Sequence, residues 1–128
     1  MKRILLILIA IVSLIQIAQA RPNLWQKTYG GIDWDVANAI TPTRDGGYIV
    51  AGYTDSFGNG KKDVYLIKID KNGNKIWQKT YGGSKDDEAY AITPTKDGGY
   101  IVAGGTLSFG NGGKDVYLIK IDNNGNTK

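Results

Sequence analysis

Residues 24–75 and 76–127 are two copies of one 52-residue unit, aligned without insertion or deletion. With Trp25 opposite Trp77, 12 pairs differ and 40 are identical. A period of this size marks a repeat architecture, in which one supersecondary unit leaves apolar surface bare and buries it only by stacking on further units. The chain has neither cysteine nor histidine. Small exported domains commonly offset a small core with disulfides, so here stability has to come from stacking. The same composition excludes a Ser-His-Asp triad, a thiol nucleophile and a histidine-rich metal site.

Ahead of the repeats, Lys2 and Arg3 precede an apolar run from Ile4 to Ile17 and then Ala18-Gln19-Ala20. This is the charged, apolar, small-residue order of a secretory signal peptide cleaved after Ala20. The run is 14 residues, interrupted by Ser13 and Gln16, against the ~20 needed to span a bilayer. The expectation is a signal peptide over 1–20 and an exported protein over 21–128, with no membrane span after cleavage. Its place is then the periplasm, the cell surface or the medium. Losing Lys2 and Arg3 lowers the net charge from +4 to +2. The remaining Lys and Arg are scattered, whereas nucleic acid needs a concentrated basic footprint, so nucleic acid is not an expected partner.

Each copy holds four short apolar segments separated by turn chemistry. In the first, Leu24–Tyr29 reads as a strand ending at Gly30-Gly31. Asp35–Thr41 is a second, stopped by Pro42 and Asp45-Gly46-Gly47. Tyr48–Thr54 is a third, followed by a Gly-rich loop, and Asp63–Asp70 a fourth. The turn at Lys71-Asn72-Gly73-Asn74 carries the Asn-Gly pair favoured by tight hairpins. No segment keeps a 3.6 period over helical length. Tyr48–Ala51 and Val64–Ile67 are apolar without alternation, which implies a sheet covered on both faces. Short antiparallel strands in stacked copies predict an all-β fold of β-propeller blades, two four-stranded repeats at 24–75 and 76–127. A β-sandwich is the alternative.

The spacing Asp70-x-x-Gly73-x-x-x-Trp77-x-x-x-x-Gly82-Gly83 resembles the tryptophan-docking motif of quinoprotein-type propellers. Asp-Gly-Gly-Tyr-Ile-Val-Ala-Gly at Asp45 and Asp97, and Asp-Val-Tyr-Leu-Ile-Lys-Ile-Asp at Asp63 and Asp115, extend the likeness. Together they resemble exported bacterial and archaeal propeller-repeat proteins. The resemblance implies structural docking roles for Trp25, Trp77, Asp70, Gly73 and Gly82, and carries over no catalytic residue or redox cofactor.

Propellers generally have about four to eight blades, and this chain has material for two, so the propeller is incomplete as a single chain. Either the chain is part of a longer propeller, or copies join head to tail, the Trp25 strand of one completing the last blade of the next. In the first case it is a fragment, whether of a binding protein or of an envelope enzyme. In the second it resembles ring-forming lectins in kind.

In a meander, the Gly30–Trp34 and Asp55–Lys62 loops share one end of the sheet, and the Pro42–Gly47 and Lys71–Asn74 turns share the other. Eight of the 12 differing pairs fall on or beside the first end. Exposed loops drift freely, but aromatic residues there also suit a glycan or a protein partner. The candidate binding face is Asp33, Trp34, Asp35, Tyr53, Asp55, Asp86, Asp87, Glu88 and Tyr90. Asp33, Asp35, Asp86, Asp87 and Glu88 offer oxygen ligands for Ca²⁺, yet no complete ligand loop is present. Asp70-x-Asn72-Gly73-Asn74 echoes a calcium loop but reads better as a hairpin turn. Asp35 and Asp87 form the one pair that could run glycoside hydrolysis. They recur in symmetric settings, with nothing to separate acid from base. The expectation is an exported, non-catalytic binding or scaffolding protein of the cell envelope, without a cofactor.

Overall fold

The computed structural model describes residues 22–59 and 61–128; the expected signal peptide lies outside them. The described chain is all-β, with seven strands: β1 (Asp35–Pro42), β2 (Tyr48–Thr54), β3 (Asp63–Ile69), β4 (Lys75–Tyr81), β5 (Asp87–Pro94), β6 (Tyr100–Thr106) and β7 (Asp115–Ile121). They form two antiparallel sheets, ordered β1-β2-β3-β4 and β5-β6-β7. The first sheet crosses the repeat boundary, since β4 comes from the second copy and pairs with β3.

Turn chemistry sets these boundaries. At the β3–β4 hairpin, Asp70 accepts hydrogen bonds from the amides of Asn72 at 2.8 Å and Asn74 at 2.9 Å. Asp122 repeats both bonds on Asn124 and Asn126. Such side-chain-to-backbone bonds fix a turn locally. The pairing of β1 with β2 slips between Ala37 and Ala39, and that of β5 with β6 between Ala89 and Ala91. Each slip leaves one unpaired residue, Asn38 or Tyr90, which a bulge re-aims out of the ladder.

The core lies between the sheets. Ile49, Ala51, Val64 and Leu66 of the first pack on Ala89, Tyr100, Val102, Ile119 and Ile121 of the second. On its far face, the first sheet buries Tyr65, Ile67 and Ile69, with Tyr29, Val50 and Phe57 packed against them. All seven residues of β3 are therefore buried, as its unbroken apolar run predicts. Strand β7 has the same seven residues but alternates between buried or half-buried and exposed. Burial on both faces is thus a property of position, since β3 is packed on each side while the outer residues of β7 are exposed.

One expected strand is not formed. Leu24–Tyr29 makes no strand pairing among the described residues. Its side chains hold it to the β3–β4 turn instead. The Trp25 indole donates to the Lys71 carbonyl at 3.1 Å, Lys27 to Asn74 at 2.7 Å and Tyr29 to the Gly73 carbonyl at 2.5 Å. In β4, Lys79 donates to Asn126 and Tyr81 to the Gly125 carbonyl, each at 2.6 Å. The Lys and Tyr contacts repeat 52 residues on because the unit repeats, whereas the Trp77 indole nitrogen is buried without a hydrogen-bond partner.

The docking glycine needs two properties at once. Gly73 has φ +79°, and a Cβ there would lie 2.8 Å from Trp25 Cε3. A side chain would be strained by the backbone and blocked by the indole. Trp77 closes on Gly125 in the same manner, 2.9 Å from the position of a Cβ.

Candidate functional site

The loops at one end of the sheets come together as their spacing predicts. The Asp33 amide donates to Ser56 Oγ at 2.9 Å, and the Asp55 amide to the Trp34 carbonyl at 2.7 Å. The second copy repeats the pattern, with Lys85 on Ser108 and Leu107 on Asp86. At the opposite end a Cβ on Gly47 would lie 3.1 Å from Asp70 Cα, so those two turns also meet.

The candidate residues then separate into three kinds. Asp35 and Asp87 lie inside the loops as braces. Asp35 accepts from Thr54 Oγ1 at 2.5 Å, Ser56 Oγ at 2.9 Å and the Gly31 amide at 2.9 Å. Asp87 accepts from Thr106 at 2.5 Å, Ser108 at 2.7 Å and the Gly83 amide at 2.9 Å. Burial pushes the Asp35 carboxyl up, but the bonds from Thr54, Gly31 and Ser56 outweigh it and hold its pKa below the ordinary value. Asp87 is 0% exposed, so it contributes no surface to a binding face. Gly82 leaves no room for a Cβ between Asp87 and Asp63.

Trp34, Asp33 and Asp55 belong to the loops themselves. Trp34 is 70% exposed, and its amide is fixed by Asp33 Oδ1 at 2.8 Å. The remaining candidates, Tyr53, Asp86, Glu88 and Tyr90, gather at the seam between the sheets around two lysines. Lys62 meets Glu88 at 3.1 Å and stands 4.5 Å from the centre of the Tyr53 ring. Its amide donates to Asp86 Oδ1 at 3.1 Å. Lys114 meets Glu88 at 3.4 Å and donates to the Tyr90 hydroxyl at 2.5 Å, while that hydroxyl donates to Glu88.

Burial raises the Glu88 carboxyl, but Tyr90, Lys62 and the two lysine charges prevail and lower its pKa. The hydrogen bond to Glu88 raises Lys62, and that to Tyr90 raises Lys114. All three therefore stay charged across neutral pH, forming a fixed patch beside the 47% exposed Tyr90 ring. An aromatic face flanked by locked charges can stack on a sugar or a planar side chain and bond its polar rim.

The two lysines are the residues sequence reasoning missed. Their signal was their place at the end of each Gly-rich loop, directly before the repeated Asp-Val-Tyr-Leu segment. Among the described residues no three carboxylates converge as metal ligands would. The chain matches no protein-family model and no curated protein.

Proposed function

We propose that this chain is an exported, non-catalytic propeller-repeat module whose loop end binds a protein or glycan at the cell envelope. The observation that carries the binding reading is the patch of Tyr90, Glu88, Lys62 and Lys114, with Trp34 exposed on a loop of the same end. Aromatic and charged side chains held in place at the end of a rigid scaffold suit recognition, because little freedom is lost on binding. Two sheets packed face to face, each closed by a tryptophan over a glycine, support the blade reading. The bonds that occupy Asp35 and Asp87 support a bracing role rather than an acid–base one.

A ring-forming lectin is the second reading. It is favoured by the apolar outer face of the β5–β7 sheet, where Val116 and Leu118 are exposed. A glycan array, with Trp34→Ala and Tyr90→Ala compared to the parent, tests the binding face. Retained binding by both folded variants would remove it.

A further inference from the structure

The β5–β7 sheet displays on its outer face the surface that the β1–β4 sheet buries. Ile49, Val64 and Leu66 are 0%, 1% and 0% exposed, whereas their counterparts Ile101, Val116 and Leu118 are 36%, 80% and 64% exposed. The socket for the first trio is known, because Ala89, Val102 and Ile119 receive it with Tyr81 and Tyr117 beside them. The counterpart of that socket lies on the far face of the first sheet. There Ala37, Val50, Ile67, Tyr29 and Tyr65 line a cavity of about 240 Å³. The chain thus presents a plug at one side and its socket at the other, and their fit is already realised inside the molecule.

The strand edges match in the same way. β3 pairs with β4 through Lys68↔Trp77, Leu66↔Lys79 and Val64↔Tyr81. β7, the counterpart of β3, stands at the edge of its sheet. The counterpart of β4 is the segment holding Trp25, Lys27 and Tyr29. Its side chains already dock on a turn, and its backbone makes no strand pairing among the described residues.

We infer that both surfaces are filled by a second copy of this chain, docked head to tail. The outer face of its β5–β7 sheet covers the cavity on the first sheet, and residues 25–29 pair with β7 in the register Trp25↔Lys120, Lys27↔Leu118, Tyr29↔Val116. Strand addition supplies main-chain bonds and the apolar plug fixes the register. The contact is heterologous, so it forms rings if the rotation closes and open chains if it does not.

The rim of this seam differs from the internal one. Within the chain Lys62 faces Asp86 and Glu88, and Lys68 donates to Asn123 at 2.9 Å. Between copies Lys114 meets Trp34 and Val36, and Lys120 meets Lys71. Asp97, 3.0 Å from Lys120, offsets part of that last repulsion, and salt screens the rest. The inference rests on the stacked-repeat reading proposed above and shares Trp34 and Lys114 with the proposed binding face, so it is tested by assembly and crosslinking without ligand.

The absence of cysteine from the chain makes the test clean. Lys27→Cys and Leu118→Cys are placed together in the full chain and oxidised. Docking in register gives disulfide-linked species beyond the dimer, while each single variant stops at the dimer. Thr28→Cys with Leu118→Cys, one residue out of register, points the sulfurs to opposite faces and also stops there. Light scattering on the parent chain gives a mass of several chains, and Leu118→Lys weakens association about 100-fold. A closed trimer or tetramer sustains both the docking and the propeller reading. An open series of lengths sustains the docking and removes the closed ring. A folded monomer at all concentrations, or crosslinks indifferent to register, overturns the inference whatever the glycan array shows.

Discussion

Lys62 spans the two sheets to reach Glu88, 3.1 Å away on β5. The pair is partly exposed, so its own contribution is small, but it also orders Tyr53 and the Asp86 loop around it. Glu88→Gln keeps the shape and removes the charge, and is expected to lower the melting temperature by a few degrees at neutral pH. The Glu88 pKa is depressed by folding. Its contribution is therefore complete above the ordinary Glu range and is lost as pH falls through the folded value. Melting curves from pH 7 to pH 3 should show the variant and the parent converging.

Leu66 and Leu118 are the same residue of the same repeat in opposite surroundings. Leu66→Ala removes a fully buried side chain and should cost about 2–5 kcal/mol. Leu118→Ala should cost a folded single chain under about 0.5 kcal/mol. Urea titration in dilute solution checks the contrast, and at high concentration the Leu118 variant should lose any concentration dependence of its midpoint.

Gly73→Ala and Gly46→Ala separate backbone strain from docking. Both glycines have positive φ, +79° and +87°, but only Gly73 lies under an indole. Gly46→Ala should cost about 1 kcal/mol through strain alone. Gly73→Ala adds the displacement of Trp25, so it should cost more and shift the tryptophan emission to the red. Equal costs with unchanged emission would remove the docking role of Gly73.

Asp63 titrates in the opposite sense to Glu88. Burial raises its pKa, with the Asp87 charge adding to the rise against the Asn59 hydrogen bond, and its Oδ1 has no hydrogen-bond partner. A raised carboxyl is best tolerated at acid pH, and stability falls as pH climbs through the folded value. Asp63→Asn should therefore stabilise by about 1 kcal/mol at pH 7. The gain should shrink on acidification toward pH 4, which calorimetry at the two pH values would register.

Much of the fold was legible because the repeat states its punctuation twice. Tyr48–Thr54 is β2 to the residue, and Asp63 and Asp70 bracket β3 with turn-forming side chains. The unpaired state of Leu24–Tyr29 was not legible, since a strand needs an edge to join and its sequence is that of β4. The site was harder to read. Asp35 and Asp87 hold the same position in the repeat, yet only Asp87 is sealed, with its amide bonded to the Lys62 carbonyl of the neighbouring sheet. The bond of Lys62 to the β5 carboxylate depends on how two sheets meet, which no local pattern encodes.

The segment Lys-Asp-Val-Tyr-Leu-Ile-Lys-Ile-Asp occurs at 62–70 and again at 114–122. Intrinsic amide exchange rates follow from neighbouring side chains, so the two stretches are chemically matched from Val64 to Ile69 and from Val116 to Ile121. One is central and covered, the other marginal. Any difference in their deuterium uptake within one molecule is therefore environment alone, without reference to another protein. If a second copy adds its strand to the margin, the two sets of amides should exchange alike.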